Sequence, residues 1–272
     1  MDNKLTFAEL QQIFEEIKEL VKNGVKEITL LGQNINIYGR DLQPPVNFID
    51  LLKQVAAIQN LQRIRFVTTH PKDTGCELVE LMAVEEKIMP YLHMPFQAGS
   101  NKILKKMNRR YTREEYIEKV QSFRKLYPDL SLSTDVIVGY PGETEEDFLL
   151  TKAILEETRF DGAFIFKYSD RSGTKAESED EKLSEIEIKR RHKELLKLQN
   201  NITFEKNKEL KGLIVKVLVE GISKTDPSRL TGRTEHNRIA VFQKDDNIKT
   251  GDIVNATVIN GYNHSLYCEY LK

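Results

Sequence analysis

Cysteine is almost absent from this 272-residue chain. Cys76 and Cys268 are the whole supply, and 192 positions separate them. Two such thiols build no disulfide framework. They cannot assemble a thiolate-bound iron–sulfur cluster either, because that takes several thiolates at once. They read as ordinary thiols of a reducing compartment, the cytosol. Long apolar runs are missing too: none approaches the roughly 20 residues of a membrane-spanning helix. The opening stretch MDNKLTFAEL has no basic segment followed by an apolar one, which argues against a secretory signal. Net charge is close to zero, with 41 basic residues against 42 acidic ones, so bulk electrostatics does not single out nucleic acid as a partner.

What remains is a soluble composition, 39% hydrophobic and 31% charged, in a chain long enough for one large and one small domain. Charge is uneven along it. Asn101 to Arg113 holds six basic residues and no acidic one, a candidate phosphate-contacting run. Glu177 to Glu187 holds six acids and Lys182 alone as a base.

Over the first two-thirds, helical and strand periodicities alternate. Phe7, Leu10, Phe14, Ile17 and Val21 recur at helical spacing behind a Thr6/Glu9 capping-box pattern. Strands are expected at 25–34, 63–70, 91–97, 131–140 and 162–169. Helices are expected from about Asn47 to Ile58, Gly75 to Glu86, Ile103 to Met107, Thr112 to Leu126 and Thr144 to Thr158. Repeated strand–helix units imply a parallel sheet, open or curled into a barrel, with the chemistry in the loops after the strands. Gln33, Asn34, His70, Gln97, Asp135 and Tyr168 to Thr174 fall at those strand ends. Gly173 to Ser184 reads as an acidic surface loop, and Glu185 to Leu210 as a charged helix. From Lys211 the pattern is all-β, four or five short strands in a small barrel.

Three segments carry a specific resemblance. LLGQNINIYG (30–39), LHMPFQAGSNKILKKMNRRYTREEY (92–116) and DVIVGYPGETEEDF (135–148) stand in the order and spacing of the radical S-adenosylmethionine (SAM) methylthiotransferases. VKVLVEGISKTDPSRLTGRTEHNRIAVF resembles that family's TRAM domain, a small RNA-binding β-barrel, and its GRTEHNR portion is most similar to the MiaB-type branch. The resemblance implies a partial (β/α) radical-SAM-type barrel over 1–174, an acidic loop and linking helix over 175–210, and a TRAM barrel over 211–272. It implies 2-methylthiolation of N6-dimethylallyladenosine next to the tRNA anticodon, by a cytoplasmic monomer acting on the anticodon stem–loop. SAM and two [4Fe–4S] clusters are the cofactors it implies. By the same resemblance Gln97, Arg109 and Asp135 contact SAM. An acceptor such as Asp135 suits ribose hydroxyls, and a guanidinium suits a carboxylate. Gly32, with Gln33 and Asn34, brings backbone and side-chain acceptors to the amino group. Arg229, Arg233, His236, Asn237 and Arg238, grouped at one inferred loop, are the RNA-binding candidates.

Each of these residues also has a plain structural reading. Gln97 can cap a loop, Arg109 can be a solvated helix charge, and Asp135 can pair within the core. His70 can line the pocket or simply pack. Two departures from the family stand out. The usual Y-S-P-R-P-G-T run reads Tyr168-Ser169-Asp170-Arg171-Ser172-Gly173-Thr174, without its prolines, which predicts a less rigid loop. The family's C-x-x-x-C-x-x-C cluster motif is missing, and Met1 falls just past its expected end. That predicts no methylthiotransferase activity from this polypeptide alone. The alternatives are a non-catalytic tRNA-binding module, a sister methylthiotransferase acting on another tRNA adenosine or a ribosomal protein, and a metal-independent α/β-barrel enzyme. The last lacks a convincing acid–base partner for Asp135 or His70.

Overall fold

A computed structural model describes residues 7–32, 35–39, 46–67, 69–170, 173, 179 and 181–271. Gln33, Asn34, Thr6, Arg171, Ser172 and Thr174 lie outside the described residues.

Helix and strand alternate through the first part: α1 (Phe7–Lys22), β1 (Glu27–Leu30), α2 (Phe48–Ala56), β2 (Arg63–Phe66), α3 (Cys76–Val84), β3 (Tyr91–His93), α4 (Asn101–Lys106), α5 (Arg113–Leu126), β4 (Ser131–Val138), α6 (Glu145–Thr158) and β5 (Gly162–Lys167). The helix starts follow local chemistry. The Asn47 side chain accepts from the Asp50 N–H at 2.8 Å and begins α2. Thr112 with Glu115 and Thr144 with Asp147 form reciprocal capping boxes at α5 and α6. Helix α4 starts earlier than its apolar pattern suggests. The Asn101 side chain accepts from Arg113 N–H at 2.7 Å and donates to Glu114 at 2.8 Å, tying the starts of α4 and α5 together.

All pairings among β1 to β5 are parallel: β1 with β2, and β3–β4–β5 in order. A parallel bridge from Ile64 to Ile88 connects the two sets. Alternation along each strand sets the faces. Ile64, Phe66, Leu92, Leu132, Val136, Val138 and Ile165 are buried in the main core. The opposite face carries Arg63, Arg65, Tyr91, His93, Ser131, Ser133, Asp135, Ile137, Gly162, Phe164 and Phe166.

Helix α7 (Glu185–Glu209) runs back along β5 to a second unit of β6 (Ile214–Ile222), β7 (Arg229–Thr234), β8 (Ile239–Gln243), β9 (Ile253–Gly261) and β10 (Leu266–Tyr270). These five strands close into a barrel in the order β10-β8-β7-β6-β9, around Val217, Val219, Phe242, Val258 and Leu266. Closure removes the open sheet edges.

The barrel is fastened to the parallel sheet by buried arginines. Arg63 donates to the carbonyls of Arg233 and Lys216, both at 3.0 Å. Arg65 donates to those of Glu235 at 3.1 Å and Thr234 at 2.7 Å. Asp161, just before β5, pairs with Arg238 at 2.6 Å and Lys206 at 2.7 Å, and accepts from Leu132 N–H at 2.9 Å. His236 reaches Asp129, before β4, at 2.9 Å. The barrel therefore sits toward the amino ends of β4 and β5.

Candidate active site

At the carboxyl ends of β3, β4 and β5 lies a cavity of about 1410 Å³. Gln97, Met107, Arg109, Asp135, Ile137, Tyr140, Phe166 and Tyr168 are among its lining residues, with Lys102, Lys105 and Lys106 from α4. Loops beyond the carboxyl ends of parallel strands are where such sheets place their ligands.

Backbone geometry builds the floor. After β3 the chain passes Pro95 and rejoins β4: Gln97 N–H donates to Asp135 O, and Ile137 N–H donates to Gln97 O, both at 2.9 Å. Gln97 holds a left-handed φ of 68° and is buried. Side chains with a Cβ adopt that conformation at a cost of about 1–3 kcal/mol, and surrounding structure must enforce it. The next residues do so. Gly99 N–H donates to the Thr151 hydroxyl at 2.8 Å, and a Cβ on Gly99 would lie 2.4 Å from the Leu150 and Thr151 backbone of α6. Ser100 donates to Asp147 at the start of the same helix. This packing brings Gln97 beside Asp135.

Asp135 is half-buried, its carboxylate 3.4 Å from His93 Nε2. His93 Nδ1 is 2.8 Å from the Ser133 hydroxyl, which is 2.6 Å from the Tyr91 hydroxyl. Arg109 follows α4, and its backbone N–H donates to Leu104 O at 2.8 Å. Its side-chain Nε is buried and has no hydrogen-bond partner among the described residues. The side chain as a whole is partly exposed at the cavity wall and forms no ion pair with a carboxylate among the described residues. The sequence-predicted Gln97, Arg109 and Asp135 thus share one cavity. Gly32 lies after β1 and is exposed.

His70 is not part of the cavity lining. Its ring meets Tyr111 edge-on at 5.7 Å, and its Nδ1 accepts from Lys72 N–H at 3.2 Å. Burial, with Arg109 nearby, lowers its pKa, so it is a neutral imidazole. Burial also pushes the Tyr111 phenol up to about 12. Its hydroxyl donates to Phe96 O at 3.2 Å.

The small-barrel candidates do not form a single loop. Arg229 and Arg233 lie at opposite ends of strand β7, because Arg229–Thr234 alternates and pairs with β6 and β8. The arginine pattern hid the strand. Arg229 stacks on Tyr267 at 5.1 Å and pairs with Asp226 at 2.9 Å. At the far end, Arg233 pairs with Glu220 at 3.0 Å and donates to Asn237 O at 3.3 Å. Arg238 and His236 hold Asp161 and Asp129 of the other unit. Sequence reading missed His93, Tyr91 and Ser133. Their signal is the polar alternation of Y-L-H and S-L-S-T-D on adjoining strands.

Residues 1–153 match the Radical SAM superfamily, and residues 208–271 match the TRAM domain. The chain belongs to the radical SAM superfamily. It is 48% identical over 248 residues to the tRNA-2-methylthio-N(6)-dimethylallyladenosine synthase of Thermoanaerobacter sp. (strain X514), covering 91% of this chain and 52% of that protein. It is 49% identical over 244 residues to the synthase of the same name from Moorella thermoacetica (strain ATCC 39073 / JCM 9320), covering 90% and 55%. The chain therefore spans about half the length of the curated relatives it matches. Among solved structures, the radical SAM enzyme coproporphyrinogen III oxidase (HemN) from Escherichia coli aligns with a TM-score of 0.54 at 14% identity, covering 74% of this chain and 47% of that one. That likeness supports the fold.

No helix of the described residues is long and apolar enough to cross a membrane, and none of them form a group of three or more metal-ligating His, Cys, Asp or Glu. Cys76 is exposed on α3, and Cys268 is buried in the small barrel, its thiol pushed up to about 12 by burial.

Proposed function

We propose that this chain supplies the SAM-binding and RNA-facing surfaces of an enzyme that 2-methylthiolates N6-dimethylallyladenosine beside the tRNA anticodon, in the cytoplasm. The near-50% identity to synthases of that name supports the substrate, and the TRAM match supports an RNA partner. The reading divides the chain at 1–174, 175–210 and 211–272.

The observation that carries cofactor binding is the convergence in one cavity of Gln97, Asp135 and Arg109, a guanidinium with no carboxylate partner among the described residues. A SAM carboxylate would satisfy the Arg109 guanidinium, which donates two parallel bonds to a carboxylate. Ribose hydroxyls would donate to Asp135 and meet the Gln97 amide. Ile137, Met107 and Phe166 offer apolar wall to the adenine. Gly32, Gln33 and Asn34 would serve the amino group from the end of β1. The iron–sulfur ligands are a different matter. One exposed and one buried thiol in separate units do not fit a cluster's donor set, so no radical step is assigned to these residues.

Equilibrium dialysis of SAM against the whole chain tests the reading. Arg109→Met should weaken binding about ten- to hundred-fold, the worth of a hydrogen bond to a charged group. Its unfolding free energy should stay within about 0.5 kcal/mol of the parent, since Nε has no partner to lose. No saturable binding by the parent, or equal binding by the variant, would overturn it.

A further inference from the structure

The sheet face below the cofactor cavity shows a second arrangement. In register, Ile137 stands beside Phe166, Asp135 beside Phe164, and Ser133 beside both His93 and Gly162. Ile137 and Phe166 line the cavity, whereas Phe164 stands one pleat toward the amino end of β5, outside it. Phe164 is 57% exposed. Its ring meets His93 edge-on, with centroids 6.0 Å apart at 74°. On the same face Gly162 leaves a gap: a Cβ built there would meet nothing within 4 Å. Its φ lies outside the left-handed region, so the backbone does not demand glycine. The contrast with Phe148 and Phe160, both fully buried, is sharp. Leaving a phenylalanine exposed forgoes the stabilisation that burying its ring would give.

We propose that Phe164, His93 and Gly162 form a stacking subsite for an unpaired purine base of RNA, adjacent to the cofactor cavity and separate from it. The inference rests on the reading that Gln97, Arg109 and Asp135 hold SAM, and it names where the substrate base lies relative to them. Two observations favour a nucleotide. The aromatic face is bordered by hydrogen-bonding groups, His93 and Asp135. The rim is electropositive. Lys102, Lys105, Lys106, Arg109 and Lys167 line it; Lys102 pairs with Asp147 and Lys106 with Glu179 and Glu181, whereas Lys105 has no carboxylate within ion-pair distance among the described residues. Phosphates would sit on that rim while the base turns inward onto Phe164.

The test measures binding of the full chain to a synthetic anticodon stem–loop carrying N6-dimethylallyladenosine, to the same stem–loop with an abasic nucleotide there, and to SAM. The parent should prefer the intact stem–loop. Phe164→Ala removes the platform, and Gly162→Val fills a gap that only a ligand uses. Each should weaken intact stem–loop binding on the order of ten-fold, toward the abasic level. Phe164→Tyr should keep parent affinity, and all three variants should bind SAM like the parent. Unchanged RNA affinity in both disruptive variants would overturn the proposal, including the case in which a protein segment covers Phe164. Loss of SAM binding in place of RNA binding would overturn it by assigning the platform to the cofactor. A parent that fails to bind SAM overturns the cofactor reading, and the intact-versus-abasic comparison reports that failure separately.

Discussion

Replacing Arg191 by methionine should destabilise the chain by about 3–5 kcal/mol, the usual cost of breaking a buried ion pair from one side. The size follows from what the guanidinium holds. Arg191 donates to Glu143 Oε2 at 2.8 Å, to Glu143 O at 3.2 Å and to Glu187 Oε1 at 2.8 Å. The Arg191 side chain is 5% exposed and that of Glu143 is 1%. Without Arg191, Glu143 keeps one hydrogen bond, from Gly139 N–H at 2.7 Å, and its Oε1 has no partner even now. Methionine preserves the apolar stem but leaves a carboxylate in the core. Glu187 and Glu145 are partly exposed and can remain hydrated, so they add little.

The pH dependence gives the claim a signature. Burial already raises the Glu143 pKa above its ordinary 4.5, against the opposing pull of Gly139 and Arg191. Removing Arg191 should raise it further. A carboxyl raised by folding binds its proton more tightly when folded. Stability is then lost as pH climbs from the unfolded value toward the folded one, and regained as pH falls. The gap between parent and variant should therefore be largest at pH 8 and narrow at pH 5. Urea denaturation followed by circular dichroism at both pH values measures this directly. Glu143→Gln combined with Arg191→Met should recover most of the loss, since no charge is left behind. A loss below about 1 kcal/mol at pH 8, or an equal loss at both pH values, would refute the reasoning.

Asp161 ties the two units through Arg238 and Lys206. Burial opposes its ionisation, but those cations and the Leu132 N–H outweigh it and hold the carboxyl below its usual range. The stability it contributes is present above the unfolded value of 3.8 and lost as pH falls below it. Asp161→Asn should speed amide exchange at 204–210 and 234–238 at neutral pH, leaving the α2 amides unchanged; equal exchange would remove the latch. In the native chain the disulfide reagent DTNB should titrate exposed Cys76 quickly and buried Cys268 only after unfolding. Two fast thiols would mean that the small barrel opens readily.

Much of the fold was readable because its signals are local. Capping residues Asn47, Thr112 and Thr144, and turn glycines, mark boundaries within a few residues of those observed. The parallel order followed from strand–helix alternation. Gln97, Arg109 and Asp135 were found by resemblance, and the structure brings them to one cavity. Three features were not readable. The run Arg229–Thr234 has too few apolar side chains to look like a strand, and only closure of the barrel pairs it on both edges. Arg63 and Arg65 look like surface charges, yet carbonyls more than 150 positions away accept their protons. His93 seemed one polar residue in an apolar stretch, because its partners Ser133 and Asp135 come from another strand.

These misses bear on where an RNA would be gripped. Sequence alone points to the small barrel, since its arginines cluster. In the structure, however, Arg238 and His236 hold carboxylates of the parallel-sheet unit, and Arg233 pairs with Glu220. Charge committed to internal carboxylates does little for a phosphate, because binding one would first require breaking the pair. Helix α4 differs. Lys105, at the cavity mouth, is uncommitted among the described residues, whereas Lys102 pairs with Asp147 and Lys106 with Glu179. On the proposed reading, Lys105 therefore offers a phosphate contact at the mouth of the cavity, and the small barrel contributes mainly through its fixed position at the other end of the strands. An RNA held at the mouth has a short path for one base to reach the face shared by His93 and Phe164, next to the groups that would orient SAM.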